Sequence, residues 1–166
     1  MDAPKTLLIV YHSQTGGTRQ LVEAARVGAE AEGGVLVRVL HATEAGPADV
    51  LAAQGYLFAG PENLAGLSGL LKDFFDRCYY PALDQLNGRP YASLICAGSD
   101  GQGAAHQLAR IATGWRLRAV AEPLIVCTHA QTPEAILAPK VIDPEALEAA
   151  QALGESLAAG LALGVF

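Results

Sequence analysis

Apolar residues follow two rhythms along this 166-residue chain. In the first, short unbroken apolar runs end in small or polar residues: TLLIVYHS (6–13), GYLFAGPEN (55–63) and YASLICAGSDG (91–101). A run without alternation has no solvent face, so each predicts a strand buried on both sides that delivers a loop at its C-terminal end. VLVRVLH (35–41) alternates less cleanly, and VAEPLIVC (120–127) contains Pro123, which suits an edge strand or a bulge because proline cannot donate to a ladder. The second rhythm is helical. In GLSGLLKDFFDRCYY (66–80), Leu67, Leu70, Leu71, Phe74, Phe75 and Cys78 recur at i, i+3, i+4, i+7, i+8 and i+11. Lys72 with Asp76, and Asp73 with Arg77, form i,i+4 pairs worth about 0.2–0.5 kcal/mol each, the mark of a solvated face. Residues 17–32, 104–115 and 144–161 complete the predicted helices, with start signals at 13–18 and at Asp143-Pro144.

Strands that alternate with helices predict a parallel sheet with right-handed crossovers. Five strands and about five helices in this length predict one domain, residues 1–166, with a doubly wound five-stranded sheet of order 2-1-3-4-5 and helices on both faces. In such a sheet the ligand crevice lies at the C-terminal strand ends beside the switch point, here between the first and third strands. The loop after the first strand then stands beside Pro61-Glu62-Asn63 and residues 97–103.

Composition excludes several functions. The chain is 51% apolar and 17% charged, with 18 glycines, which disfavours disorder. Its net charge is −6, from 17 acidic and 11 basic side chains with no long run of either sign, so nucleic acid is not an expected partner. The apolar tail LAAGLALGVF is too short for a bilayer, and no basic region precedes an apolar signal segment, so a cytoplasmic protein without a membrane partner is expected. Cys78, Cys96 and Cys127 are widely spaced, without a C-x-x-C pair or clustered histidine; they read as reduced, buried thiols and no metal site is expected.

The loop HSQTGGTRQ concentrates the candidate chemistry. Ser13, Thr15 and Thr18 offer hydroxyls, Gly16 and Gly17 admit close backbone approach, and the helix that follows presents free N–H groups with a positive dipole end. Together they describe an anion site of phosphate type. The loop has neither the Gly-Lys-Ser/Thr of an ATP-binding P-loop nor G-x-G-x-x-G, so a mononucleotide phosphate fits better than a triphosphate or a dinucleotide. A plain helix cap needs only one such hydroxyl.

Ser13-Gln14-Thr15-Gly16-Gly17-Thr18 resembles the FMN phosphate loop Thr/Ser-x-Thr-Gly-x-Thr of the flavodoxin-like superfamily. GPENLAGLSGLLKDFFDRC is similar to the second loop and helix of its NAD(P)H:quinone oxidoreductase and NADPH-dependent FMN reductase branch, and AGSDGQGAAHQLARI to that branch's third loop. The resemblance implies a flavodoxin-like α/β fold with FMN as cofactor. It places the phosphate on Ser13, Gln14, Thr15, Gly16, Gly17 and Thr18. One isoalloxazine edge would lie along Pro61, Glu62, Asn63 and Leu64, and the other along Gly98, Ser99, Asp100, Gly101 and Gly103. Relatives often carry aromatics in these two loops; this chain carries none there, the nearest being Tyr11, Tyr79, Tyr80 and Trp115.

The resemblance implies an oxidoreductase in which NAD(P)H reduces FMN and FMN reduces a quinone or similar acceptor. Two alternatives stay open: a flavodoxin-type electron carrier without turnover of its own, and a flavodoxin-like domain that has lost flavin. No side chain is assigned as catalytic. His12 reads as a local hydrogen-bonding partner, His106 and His129 as surface residues, and Glu62 and Asp100 as polar rim residues. Tyr79-Tyr80-Pro81 either closes a helix over the core or builds part of a pocket at a subunit boundary. A homodimer or tetramer is compatible with the apolar composition.

Overall fold

The computed structural model of the protein describes residues 3–166. Its strands are β1 (Lys5–Tyr11), β2 (Val35–His41), β3 (Gly55–Asn63), β4 (Gly66–Leu67), β5 (Pro90–Ala97), β6 (Arg118–Ala119) and β7 (Leu124–Cys127). Its helices are α1 (Gly17–Glu32), α2 (Pro47–Ala52), α3 (Gly69–Ala82), α4 (Gln102–Gly114), α5 (Pro133–Leu137) and α6 (Pro144–Leu163). The sheet runs β2-β1-β3-β5-β6, with β7 also on β5 and β4 on β3. All these pairings are parallel except β3 with β4.

This is the 2-1-3-4-5 order with two additions. The fifth expected strand, 120–127, is shortened to β7, and a two-residue β6 just before it pairs separately with the start of β5; Pro123 lies in the interruption between them. The other addition corrects the predicted start of the third helix. Leu67 keeps helical spacing but belongs to β4, a hairpin on the end of β3, and the helix begins at Gly69. The two-residue turn of that hairpin, Leu64 and Ala65, has φ of 50° and 63°. Left-handed backbone costs an L-residue about 1–2 kcal/mol. The short helices α2 and α5 have too few turns to show a period in the sequence.

Period-2 geometry divides each central strand between two cores. Leu8, Val10, Tyr56, Phe58 and Ile95 face α3 and α4, where Phe58 stacks on Tyr56 at 5.6 Å and meets Phe75 at 5.0 Å and Trp115 at 6.1 Å. Trp115 is thus a core residue, 4% exposed, and not an aromatic of the ligand crevice. Leu7, Ile9, Leu57 and Leu94 face α1 and α6. These two helices meet backbone to backbone: a Cβ on Gly28 would strike the Gln151 carbonyl, and one on Gly154 the Ala25 carbonyl. No helix among the described residues is long and apolar enough to cross a membrane.

Candidate functional site

The C-terminal ends of β1, β3, β5 and β7 surround one cleft of about 140 Å³. Its wall brings together Ser13, Gln14, Thr15, Gly17 and Thr18 from the first loop, Pro61, Glu62 and Asn63 from the second, and Gly98 from the third. A hydrogen bond of 3.1 Å from Asn63 Nδ2 to Gln14 Oε1 joins the first two loops. Gly16, Leu64, Ser99, Asp100, Gly101 and Gly103 do not line the cleft.

The start of α1 is built to stay open. Gly16, the residue before it, sits at φ 92° and has no side chain with which to cap the helix. Only the third N–H, that of Arg19, finds a local side-chain partner, Ser13 Oγ at 3.2 Å. Because Ser13 accepts there, its hydroxyl proton is free to donate elsewhere. Gly17 and Thr18 keep uncapped N–H groups at the positive end of a 16-residue helix with no acidic residue in its first turn. Thr18 is buried and lines the cleft together with Cys96.

The start of α4 shows the opposite solution. Gly101, at φ 84°, precedes it, and the Glu62 carboxylate accepts from Gly101 N–H at 2.9 Å and Ala104 N–H at 3.0 Å. Among the described residues, the protein supplies its own anion to α4 and none to α1. Glu62, expected as a rim residue, therefore holds the second loop to the third. Gly101 and Gly103 serve that junction: a Cβ on Gly101 would stand 2.5 Å from Ile125 Cγ2, and one on Gly103 would strike the Ala65 carbonyl.

Sequence reasoning missed the fourth wall. Cys96, Thr128, Ala130, Ile136, Leu137 and Lys140 also line the cleft. The segment after β7 carries α5 across the sheet end and returns to the first loop, where Lys140 N–H donates to the Thr15 carbonyl at 2.9 Å. Ile136 and Leu137 bring apolar surface to a cleft whose loops lack aromatics, although both stay substantially exposed, at 50% and 73%.

The remaining candidates fall elsewhere. His12 Nδ1 pairs with Ser68 Oγ at 2.8 Å, and its ring meets His41 edge-on at 5.6 Å; burial first, and His41 second, hold its pKa below the ordinary value. Burial raises the Cys78 thiol to about 11, which suits an inert core thiol. Tyr79 and Tyr80 pack on each other at 5.1 Å, with Tyr80 outside the core, and His106 and His129 are exposed. No group of three metal-ligating side chains occurs among the described residues. A second cavity, about 260 Å³, opens at the other end of the sheet beside Lys5 and Arg89. Both cations are engaged by carbonyls at the C-terminal ends of α6 and α2, which makes that cavity a packing seam.

An open crevice at the switch point of a 2-1-3-4-5 sheet, with an uncapped helix start at its floor, defines a flavodoxin-like α/β protein. A solved flavodoxin from the domain Archaea superposes with a TM-score of 0.75 at 16% identity, covering 94% of this chain and 98% of that one. The model of the NADPH-dependent FMN reductase family matches residues 41–132, and the chain belongs to that family. The matched span holds the second and third loops and lies beyond the 13–18 loop. A flavodoxin of Aquifex aeolicus is 31% identical over 97 residues, 58% of this chain and 52% of that protein. A quinone-type NAD(P)H dehydrogenase of Acidithiobacillus ferrooxidans is 29% identical over 43% of this chain and 46% of its own length. The chain thus spans about half the length of the curated relatives it matches.

Proposed function

We propose that the protein binds FMN in this cleft and uses NAD(P)H to reduce a quinone or similar small acceptor. The observation that carries the reading is the contrast between the two helix starts, α4 closed by Glu62 and α1 left open toward the cleft. The donor set fits a phosphate monoester: two uncapped N–H groups, the free Ser13 hydroxyl proton and Thr15, with no lysine in the loop to favour a triphosphate. At about 140 Å³ the cleft is smaller than the pockets of about 300–1,000 Å³ that engulf drug-sized ligands. It therefore takes the phosphate-bearing end of a mononucleotide and leaves the ring at the mouth.

Bound FMN supplies reversible acceptance of a hydride. The protein's own work is positional. The first loop fixes the phosphate, the Asn63–Gln14 bond sets the second loop against it, and Glu62 sets the third loop against the second. Main-chain groups of residues 61–64 and 98–100 are the candidates to hydrogen-bond the ring, those of Gly101 being engaged by Glu62 and Ala105. An electron-carrier role is the second reading, supported by the similarity to the Aquifex aeolicus flavodoxin.

Titration of the flavin-free protein with FMN, followed by flavin fluorescence, tests the site, and steady NADH or NADPH oxidation with quinones tests the activity. Saturable binding with turnover is expected. Binding without NAD(P)H oxidation across several quinones favours the carrier, and no binding refutes both.

A further inference from the structure

Lys140 is fixed to the first loop by its main chain and its neighbours. Its N–H donates to Thr15 O at 2.9 Å, its carbonyl accepts from Gln20 Nε2 at 2.7 Å, and the N–H of Ile142 donates to Gln20 Oε1 at 3.1 Å. Its Cβ lies 3.6 Å from the place a Cβ on Gly17 would occupy, beside the first turn of α1. Among the described residues lining the cleft it is the only basic side chain. Its ammonium is turned to the C-terminal end of α5, donating to the carbonyls of Ala135 and Ile136 at 2.8 Å and Ala138 at 2.7 Å. The same short helix sets Ile136 and Leu137 in the cleft wall.

We propose that Lys140 is the counter-charge for the phosphate monoester of the bound mononucleotide, and that this phosphate competes with the α5 carbonyls for its ammonium. The proposal rests on the FMN reading above. A lysine has three donors on a flexible four-carbon stem, and this one is anchored within contact of the loop. A phosphate dianion is a stronger acceptor than neutral carbonyls, because charge on both partners shortens and strengthens the bond. The five residues of α5 make too short a helix to hold themselves without tertiary support. Occupation of the loop therefore withdraws the cap from α5 and loosens the cover that carries Ile136 and Leu137. The Lys140 charge already reaches the cleft floor: burial raises the Cys96 thiol above its ordinary pKa, and Lys140 opposes that rise.

The test compares FMN with riboflavin, which has the same ring and no phosphate, on the unsubstituted protein and on Lys140→Met and Lys140→Arg. Lys140→Met is expected to weaken FMN about tenfold or more, a tenfold change being about 1.4 kcal/mol, and to move riboflavin by less than about twofold. Lys140→Arg retains most of the FMN affinity, and added KCl weakens FMN binding less in Lys140→Met than in the unsubstituted protein. Equal losses for both flavins would show that Lys140 only holds the cover, and unchanged FMN affinity in Lys140→Met would show no contact; either overturns the proposal. A failure of the unsubstituted protein to bind either flavin is a different result, which removes the FMN reading and this proposal with it.

Discussion

Replacing Glu62 by alanine removes both acceptors at the start of α4 and the tie between the second and third loops. A hydrogen bond to a charged group contributes about 1.5–3 kcal/mol. Glu62 is half-buried, so water recovers part of each bond, and the two together are expected to contribute about 2–3 kcal/mol, including the carboxylate's attraction to the helix dipole. For a chain of this size that lowers Tm by about 5–10 °C. Urea unfolding followed by circular dichroism and by Trp115, the only tryptophan, gives the value directly, with the slope on urea unchanged if the native core persists. Glu62→Gln keeps the shape but turns an amide NH₂ toward one donor, so it should recover about half of the loss. A Glu62→Ala protein within about 0.5 kcal/mol of the unsubstituted one would refute the reasoning, since that is the range of an ordinary surface change.

The imidazole of His12 is held below its ordinary pKa of 6.5 by burial and by His41, so the unfolded chain takes up that proton first. Its contribution is full above about 6.5 and is lost as pH falls toward the depressed folded value; the pH slope of the urea midpoint should shrink in His12→Gln. Gly154→Ala drives a methyl into the Ala25 carbonyl and should cost about 3 kcal/mol, the upper end for overpacking, as read by thermal unfolding. Ala65→Gly relieves left-handed backbone at φ 63° and should stabilise by about 0.5–1 kcal/mol after the added entropy of glycine; a lower urea midpoint would contradict it.

The parts of this protein visible in its sequence are those whose cause is local. Residues 13–18 stand out as a candidate ligand loop because hydroxyls and glycines between a strand and a helix have a chemical meaning by themselves. The apolar runs at 6–13, 55–63 and 91–101 reveal buried strands for the same reason. Glu62 was visible as a loop carboxylate, but its partners lie 39 and 42 residues away, and only the packing of α4 on the hairpin turns it into a cap. Leu67 fits the helical period of its neighbours yet pairs with Glu62 in β4, a case of tertiary pairing overriding spacing. Lys140 lies in an exposed, aperiodic stretch, and its relation to Thr15 exists only because the chain returns across the sheet end after β7.

The central claim concerns the N–H groups at the start of α1. The 17.2 kDa chain is suited to amide-resolved NMR, in which ¹⁵N-labelled protein is titrated with FMN. The account predicts the largest shifts at the amides of Thr15, Gly17 and Thr18, in the direction of stronger hydrogen bonding, with smaller ones in the second and third loops. FMN that leaves those three amides unmoved, or shifts residues at the other end of the sheet, would contradict it.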